Sequence, residues 1–343
     1  MARRIVHRGI LLEQNKEPAL SRPLRTLYKD MPCERMEILV PGNPSFLAPH
    51  EILAFARSAR IVDESDGRSL WRKIVAALRD GVGVIVVDAI DDEPYISSQL
   101  GPALHLPDEL AAGVELIKRA TGAGGARIEV YDNLVDVQKT VPKRIGDIPV
   151  TRVSGFYPAE YQRGKRSYNR ATMVVGACAL IHLKRAVYEG HAQTTAFVTV
   201  AGNCTSNPGN YEVPLGTTVA QVIEATGLID EPRRIILGGS MTGYGITNPE
   251  ATKVTVGTRG ILTFAENYRE SPGICIGCGR CTESCPEGLS PYHIYHMLAA
   301  AGRKELDIYD IDRCIGCGTC SYICPAKINL SHIITVSKSR KLS

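Results

Sequence analysis

Nothing in this 343-residue chain reaches the length of a membrane span. Its longest apolar stretch, GVGVIVVDAI from Gly81 to Ile90, falls far short of the ~20 residues that a spanning helix needs. No apolar core follows the arginines of MARRIVHR before Gln14, Asn15, Lys16 and Glu17, so the N-terminus does not read as a secretory signal. The expectation is a cytoplasmic protein without direct membrane insertion, which could still sit against a membrane complex through partner proteins. A strong excess of one charge is also missing: the formal net charge is +4, which gives no argument for a nucleic-acid partner. Basic residues cluster only locally, in MARRIVHR, QRGKRSYNR and SKSRKLS. These read as solvated surface, with docking to an acidic redox partner as the alternative. No G-x-x-x-x-G-K-[ST] occurs, and TGAGGA at 121–126 follows a helical pattern and precedes an extended one. That is the reverse of the order in a dinucleotide site, so it reads as a helix cap and turn. Cysteine is scarce through the first 270 residues, where only Cys33, Cys178 and Cys204 occur.

The other eight cysteines lie within 50 residues, as CIGCGRCTESCPEG from Cys275 and CIGCGTCSYICPAK from Cys314. A disulfide framework would come with a secretory signal and a small loop-rich chain, and both are missing. Each block fits C-x2-C-x2-C-x3-C-P, the run of ferredoxins that carry two cubane clusters. Three thiolates two residues apart wrap one face of a cluster, and the fourth, followed by proline, points to the other cluster. The expected ligand sets are therefore Cys275, Cys278, Cys281 and Cys324 for one [4Fe-4S] cluster, and Cys314, Cys317, Cys320 and Cys285 for the other. Zinc sites would use two cysteine pairs or cysteine and histidine together. The stretch SPYHIYHMLAAAGRKEL between the blocks has helical spacing, and its His293 and His296 read as exposed or capping residues. Clusters held by cysteine with no bond-making residues nearby imply one-electron transfer.

Upstream, residues 68–190 alternate helical patterns (SLWRKIVAALRD, PDELAAGVELIKRATG) with buried strands (GVIVVDA, ARIEVYD). This predicts an α/β unit with a parallel sheet and crossover helices. From about 195 to 255 the pattern is a small α+β unit: a strand at AFVTVAG, a second extended stretch, a helix entered at Thr217 or Thr218 and ended at Gly227, and a strand at IILGG. Cys33 lacks an activating environment beyond Arg35, Cys178 reads as buried, Cys204 has no partner at ligand spacing, and Trp71 reads as a core residue.

The stretches VVDAIDDEPYIS, VVGACALIHLKRAVYEGHAQTTAFVTVAG and IILGGSMTGYGI, followed by the two cysteine blocks, together resemble the C subunit of the Rnf electron transport complex. They are also similar to the cobalamin reductase of propanediol utilisation, to the electron-transfer protein of proline reductase systems and, more distantly, to the flavoprotein subunit of respiratory complex I. The resemblance covers about residues 50–335. It implies an N-terminal extension (1–50), an α/β domain related to a flavin and NADH domain (51–193), a β-grasp domain of SLBB type (194–262), a dicluster ferredoxin domain (263–335) and a basic tail (336–343).

Two departures bear on function. Relatives that oxidise NADH carry a loop of the form G-x-G-G-A-G-F-P that approaches FMN. Here the stretch reads ARIVDESDGRSLWRKI, with one glycine, Gly67, and with Asp63, Glu64 and Asp66 where a phosphate-bearing flavin should lie. The E-P-Y of the family stands as Glu93, Pro94 and Tyr95, preceded by two aspartates in place of small and cysteine residues. The resemblance further leads to the expectation that the N-terminal domain of many relatives is absent here or reduced to some 45 residues. The expectation is that FMN and NADH binding have been lost, with Glu93 and Tyr95 as remnants of the flavin site. Three functions compete: an electron-relay subunit for a partner reductase or Rnf-like complex, an NAD(P)H-oxidising flavoprotein with an atypical FMN site, and a reductase acting directly on a corrinoid or selenoenzyme system.

Overall fold

The computed structural model describes residues 22–27, 43–131, 141–159, 171–266, 271–300 and 310–339. Cys33, the basic stretches at 1–8 and 162–170, the far end of the interblock helix and the last four residues of the C-terminal basic stretch lie outside them.

A two-residue strand, β1 (Arg25–Thr26), belongs to the second of two sheets. The first sheet comprises β2 (Val84–Ala89), β3 (Gly125–Tyr131), β4 (Arg144–Ile145), β5 (Ile148–Val153) and β6 (Thr172–Gly176), in the order β4-β5-β3-β2-β6. Its pairings are parallel except for the β4–β5 hairpin. β2 is a near-continuous apolar run because both of its faces are covered, and Ile85, Val86 and Val87 are all buried. Each such side chain contributes roughly 1.5–3 kcal/mol of burial.

Helices α1 (Pro49–Ser58), α2 (Leu70–Asp80), α3 (Leu100–His105), α4 (Pro107–Thr121) and α5 (Ala177–Glu189) pack on this sheet. α4 starts with a proline and an acidic turn (Asp108, Glu109) and ends in Lys118 and Arg119 before Gly122 at φ 76°. That order suits the helix dipole and the left-handed cap. Trp71, expected inside the core, packs on it from the rim, between the guanidinium groups of Arg57 and Arg72 at 5.5 and 5.3 Å.

The second sheet adds β7 (Thr195–Ala201), β8 (Gly209–Pro214), β9 (Arg234–Leu237), β10 (Tyr244–Ile246) and β11 (Gly260–Phe264), in the order β1-β8-β7-β11-β9-β10. The β7–β8 hairpin, helix α6 (Val219–Thr226) and the parallel β7–β11 pair make a β-grasp arrangement. Thr218 caps α6 in a reciprocal box with Gln221, and Gly227 ends it. Arg185 of α5 joins the two units, bonding Glu109 at 2.7 Å and Glu212 of β8 at 2.5 Å.

The cysteine blocks fold around α7 (Arg280–Glu283), α8 (Pro291–Ala300), α9 (Thr319–Tyr322) and α10 (Leu330–Ser339). The sequence repeat is a structural repeat: α7 and α9 each follow a left-handed glycine, Gly279 at φ 74° and Gly318 at φ 78°. Among the described residues, no helix is long and apolar enough to cross a membrane.

Candidate metal centre

The two blocks interleave. One cavity is lined by Cys275, Cys278, Cys281 and Cys324, with Ile328 and Leu330 among its apolar walls. A second is lined by Cys285, Cys314, Cys317 and Cys320, with Leu289 and Ile334. In each, three cysteines of one block face the fourth of the other. Burial pushes the thiols of Cys281, Cys314, Cys317 and Cys320 up, and at Cys320 the neighbouring Cys317, Cys314 and Cys285 add to the effect. Four crowded thiolates in an apolar pocket need a cationic centre to compensate them. A soft, all-sulfur donor set around a compact cavity fits an iron–sulfur cluster.

The two cavities differ in their surroundings. Around the first, Cys278 is exposed, and Ile274 and Ile276 are 90% and 71% exposed. The second lies against the rest of the molecule: buried Tyr157 donates to the Cys317 carbonyl at 2.8 Å and packs with Met241 and Ile323. A side chain at Gly318 would have its Cβ 2.4 Å from the Met241 carbonyl oxygen, so only glycine permits this approach. Tyr157→Phe should therefore lower stability by about 1 kcal/mol in anaerobic denaturation and leave the iron content unchanged. Loss of iron would show that the tyrosine governs cluster retention as well.

The DDE run ties this junction together. Asp91 accepts from the backbone N–H groups of Gln99 and Leu100 at 3.1 and 2.9 Å and pairs with Arg259 of the β-grasp unit at 3.0 Å. Asp92 accepts from the Ala159 N–H at 2.6 Å, two residues from Tyr157. Glu93 accepts from the N–H groups of Met241 and Thr242 at 2.8 and 3.1 Å and from the Thr242 hydroxyl. All three carboxylates are buried. Glu93 thus holds the loop that carries Met241 onto the second cysteine block. Tyr95 sits elsewhere, edge-on to Phe264 at 5.5 Å with φ 68°.

The acidic turn is equally occupied. Asp63 accepts from Gly176 N–H at 3.1 Å and from Ser65, and pairs with Lys73. Glu64 accepts from the N–H groups of Cys178 and Ala179, at 2.9 and 3.0 Å, in the first turn of α5. Burial, and next the Asp63 charge, push its carboxyl up to about 8, against the pull of its backbone bonds. The N–H groups that open α5 are thus bonded to the chain's own carboxyls.

The remaining sequence candidates stand apart from the cysteines' chemistry. His293 bonds Ser290 at 2.7 Å at the start of α8, and the His296 ring lies tilted against Tyr292, 4.6 Å between centroids. Cys178 and Cys204 are buried, and burial raises both thiols. Tyr157 escaped the sequence reading because nothing local marks it: its partner lies 160 residues away.

Residues 274–328 match the 4Fe-4S dicluster domain family, and residues 197–245 match the SLBB domain family. The chain is similar to the C subunits of ion-translocating oxidoreductase complexes. It is 28% identical to the one from Rhodobacter capsulatus over 277 residues, 74% of this chain and 52% of the relative. To the C subunit of the proton-translocating ferredoxin:NAD(+) oxidoreductase complex of Clostridium ljungdahlii it is 28% identical over 285 residues, 76% of this chain and 60% of that one. The corresponding Yersinia pestis protein gives 25% identity over 236 residues, 63% of this chain and 38% of the relative. The chain thus spans about half the length of the curated relatives it matches. Among solved structures, an NAD+-reducing [NiFe]-hydrogenase in its H2-reduced state shares the fold, with a TM-score of 0.55 at 15% identity over 86% of this chain and 61% of that one. The air-oxidised form gives 0.53 at 17% identity over 76% of this chain and 56% of that one.

Proposed function

We propose that this chain is an electron-relay subunit that passes single electrons through two [4Fe-4S] clusters, between a redox donor and a partner reductase or membrane complex like those of its Rnf-type relatives. The observation that carries the reading is the interleaving of the blocks, three cysteines and one, in two cavities. Cys275, Cys278, Cys281 and Cys324 hold one cluster, and Cys285, Cys314, Cys317 and Cys320 the other. When bound, the clusters supply reversible one-electron chemistry. The chain's own residues seat them: the apolar walls limit water, and Tyr157 and Glu93 fix the second block against the other two units. Cys278 and the exposed Ile274 and Ile276 bring the first cluster to the surface, where a partner protein exchanges electrons. The α/β unit serves as scaffold and docking body, without a flavin or NADH site of its own.

The test is anaerobic reduction of the purified chain followed by its visible absorption. Dithionite should bleach it by two electrons per chain, and NADH alone should leave it unchanged. Bleaching by NADH without an added flavoprotein would favour the flavoenzyme reading instead.

A further inference from the structure

In an open parallel sheet the ligand crevice lies beyond the carboxyl ends of the strands, where the strand order reverses. Here that point falls between β2 and β6: β3 and β5 follow β2 on one side, and β6 returns to its other side. β6 leads directly into the 13-residue helix α5, whose first-turn backbone N–H groups have no partner within the helix. A sheet of this order would seat an anionic ligand at that turn.

The place is taken by the chain itself. The turn from Asp63 reaches across 113–115 residues of sequence to put acceptor oxygens on Gly176, Cys178 and Ala179. Asp63 is fully buried, and Lys73, a cation suited to a phosphate, is held by Asp63 and Asp66. The closeness is tight enough that a Cβ at Gly176 would lie 2.1 Å from a Glu64 carboxyl oxygen. Asp63 and Glu64 thus stand in direct contact with the first turn of the helix.

We infer that Asp63 and Glu64 are a built-in substitute for a ligand phosphate: they fill the crevice at the sheet's switch point and close it to phosphate-bearing cofactors, and removing them opens it to inorganic phosphate. The turn sets carboxyl oxygens on the N–H groups of the helix's first turn, so it does for the helix what the oxygens of a bound phosphate would do. Loss of a nucleotide site by self-occupation preserves the packing of α5 on the sheet, which an empty crevice would weaken.

The test uses the cluster-loaded protein under anaerobic conditions and reads its melting temperature, which is independent of electron transfer. In the Asp63→Ser/Glu64→Gly variant, Gly176, Cys178 and Ala179 lose their carboxyl acceptors and Lys73 keeps only Asp66. Its melting temperature should fall in chloride buffer and recover by about 3 °C in phosphate at matched ionic strength. The unaltered protein should show no such difference and should not quench FMN fluorescence. If the double variant folds in neither buffer, the single Glu64→Ala variant decides, with the same phosphate-specific rise expected. A phosphate response or FMN binding in the unaltered protein would overturn the inference, as would a folded variant indifferent to phosphate.

Discussion

Cys324→Ala should abolish the cluster held by the first cysteine block and spare the one held by the block in which Cys324 sits. The proposed ligand sets cross, because the fourth cysteine of each run, fixed by the following proline, lines the cavity of the other run. A cubane that loses one of four thiolates is left with an open iron site and degrades or converts to a smaller cluster. Iron should fall from about eight to about four per chain. Cys285→Ala should do the same to the opposite site, so the two variants should leave different clusters behind, distinguishable by their electron paramagnetic resonance spectra when reduced. The surviving cluster in Cys324→Ala is the one packed against Tyr157 and Met241. If the two variants retained the clusters of their neighbouring runs in the uncrossed sense, the ligand assignment would be wrong even though the cysteines are right.

The second large effect is expected at Glu93. Its carboxylate satisfies two backbone N–H groups and a hydroxyl of the loop at 241–242 and is itself buried. Glu93→Ala strips all three donors of their acceptor inside the molecule, a cost on the order of 2–3 kcal/mol. Glu93→Gln keeps one acceptor oxygen and should lose roughly half of that. Anaerobic denaturation of both variants checks the order. Since the loop carries Met241 to within van der Waals reach of the second block, the alanine variant should also lose its second-block cluster faster on dilution into chelator. A residue acting in catalysis would show the opposite signature, with stability kept and only turnover lost.

Much of this molecule can be read along the chain where the determinants are local. The buried run of β2, the Gly122 end of α4, and the Thr218 cap and Gly227 end of α6 all follow from residues within one turn of the feature they specify. The cysteine spacing is local too, and it names all eight cysteines that line the two cavities. What the sequence hides is whatever depends on a distant partner. Asp92 and Glu93 look like a corrupted flavin motif, yet their acceptors serve N–H groups 67 and 148 residues away. The acidic turn reads as repulsion toward a phosphate. Only the fold shows that the same carboxyl groups accept from the backbone N–H groups of Gly176, Cys178 and Ala179 at the start of α5. Helix α5 itself is buried on most of its surface, so its sequence lacks the polar stripe that would mark an amphipathic helix.

The most direct measurement is the joint quantification of iron, acid-labile sulfide and flavin on one anaerobically purified sample. The account predicts about eight iron and eight sulfide per chain with no flavin. Stoichiometric FMN would contradict the closed crevice and return the chain to the NADH-oxidising class, and about four iron would contradict the paired clusters.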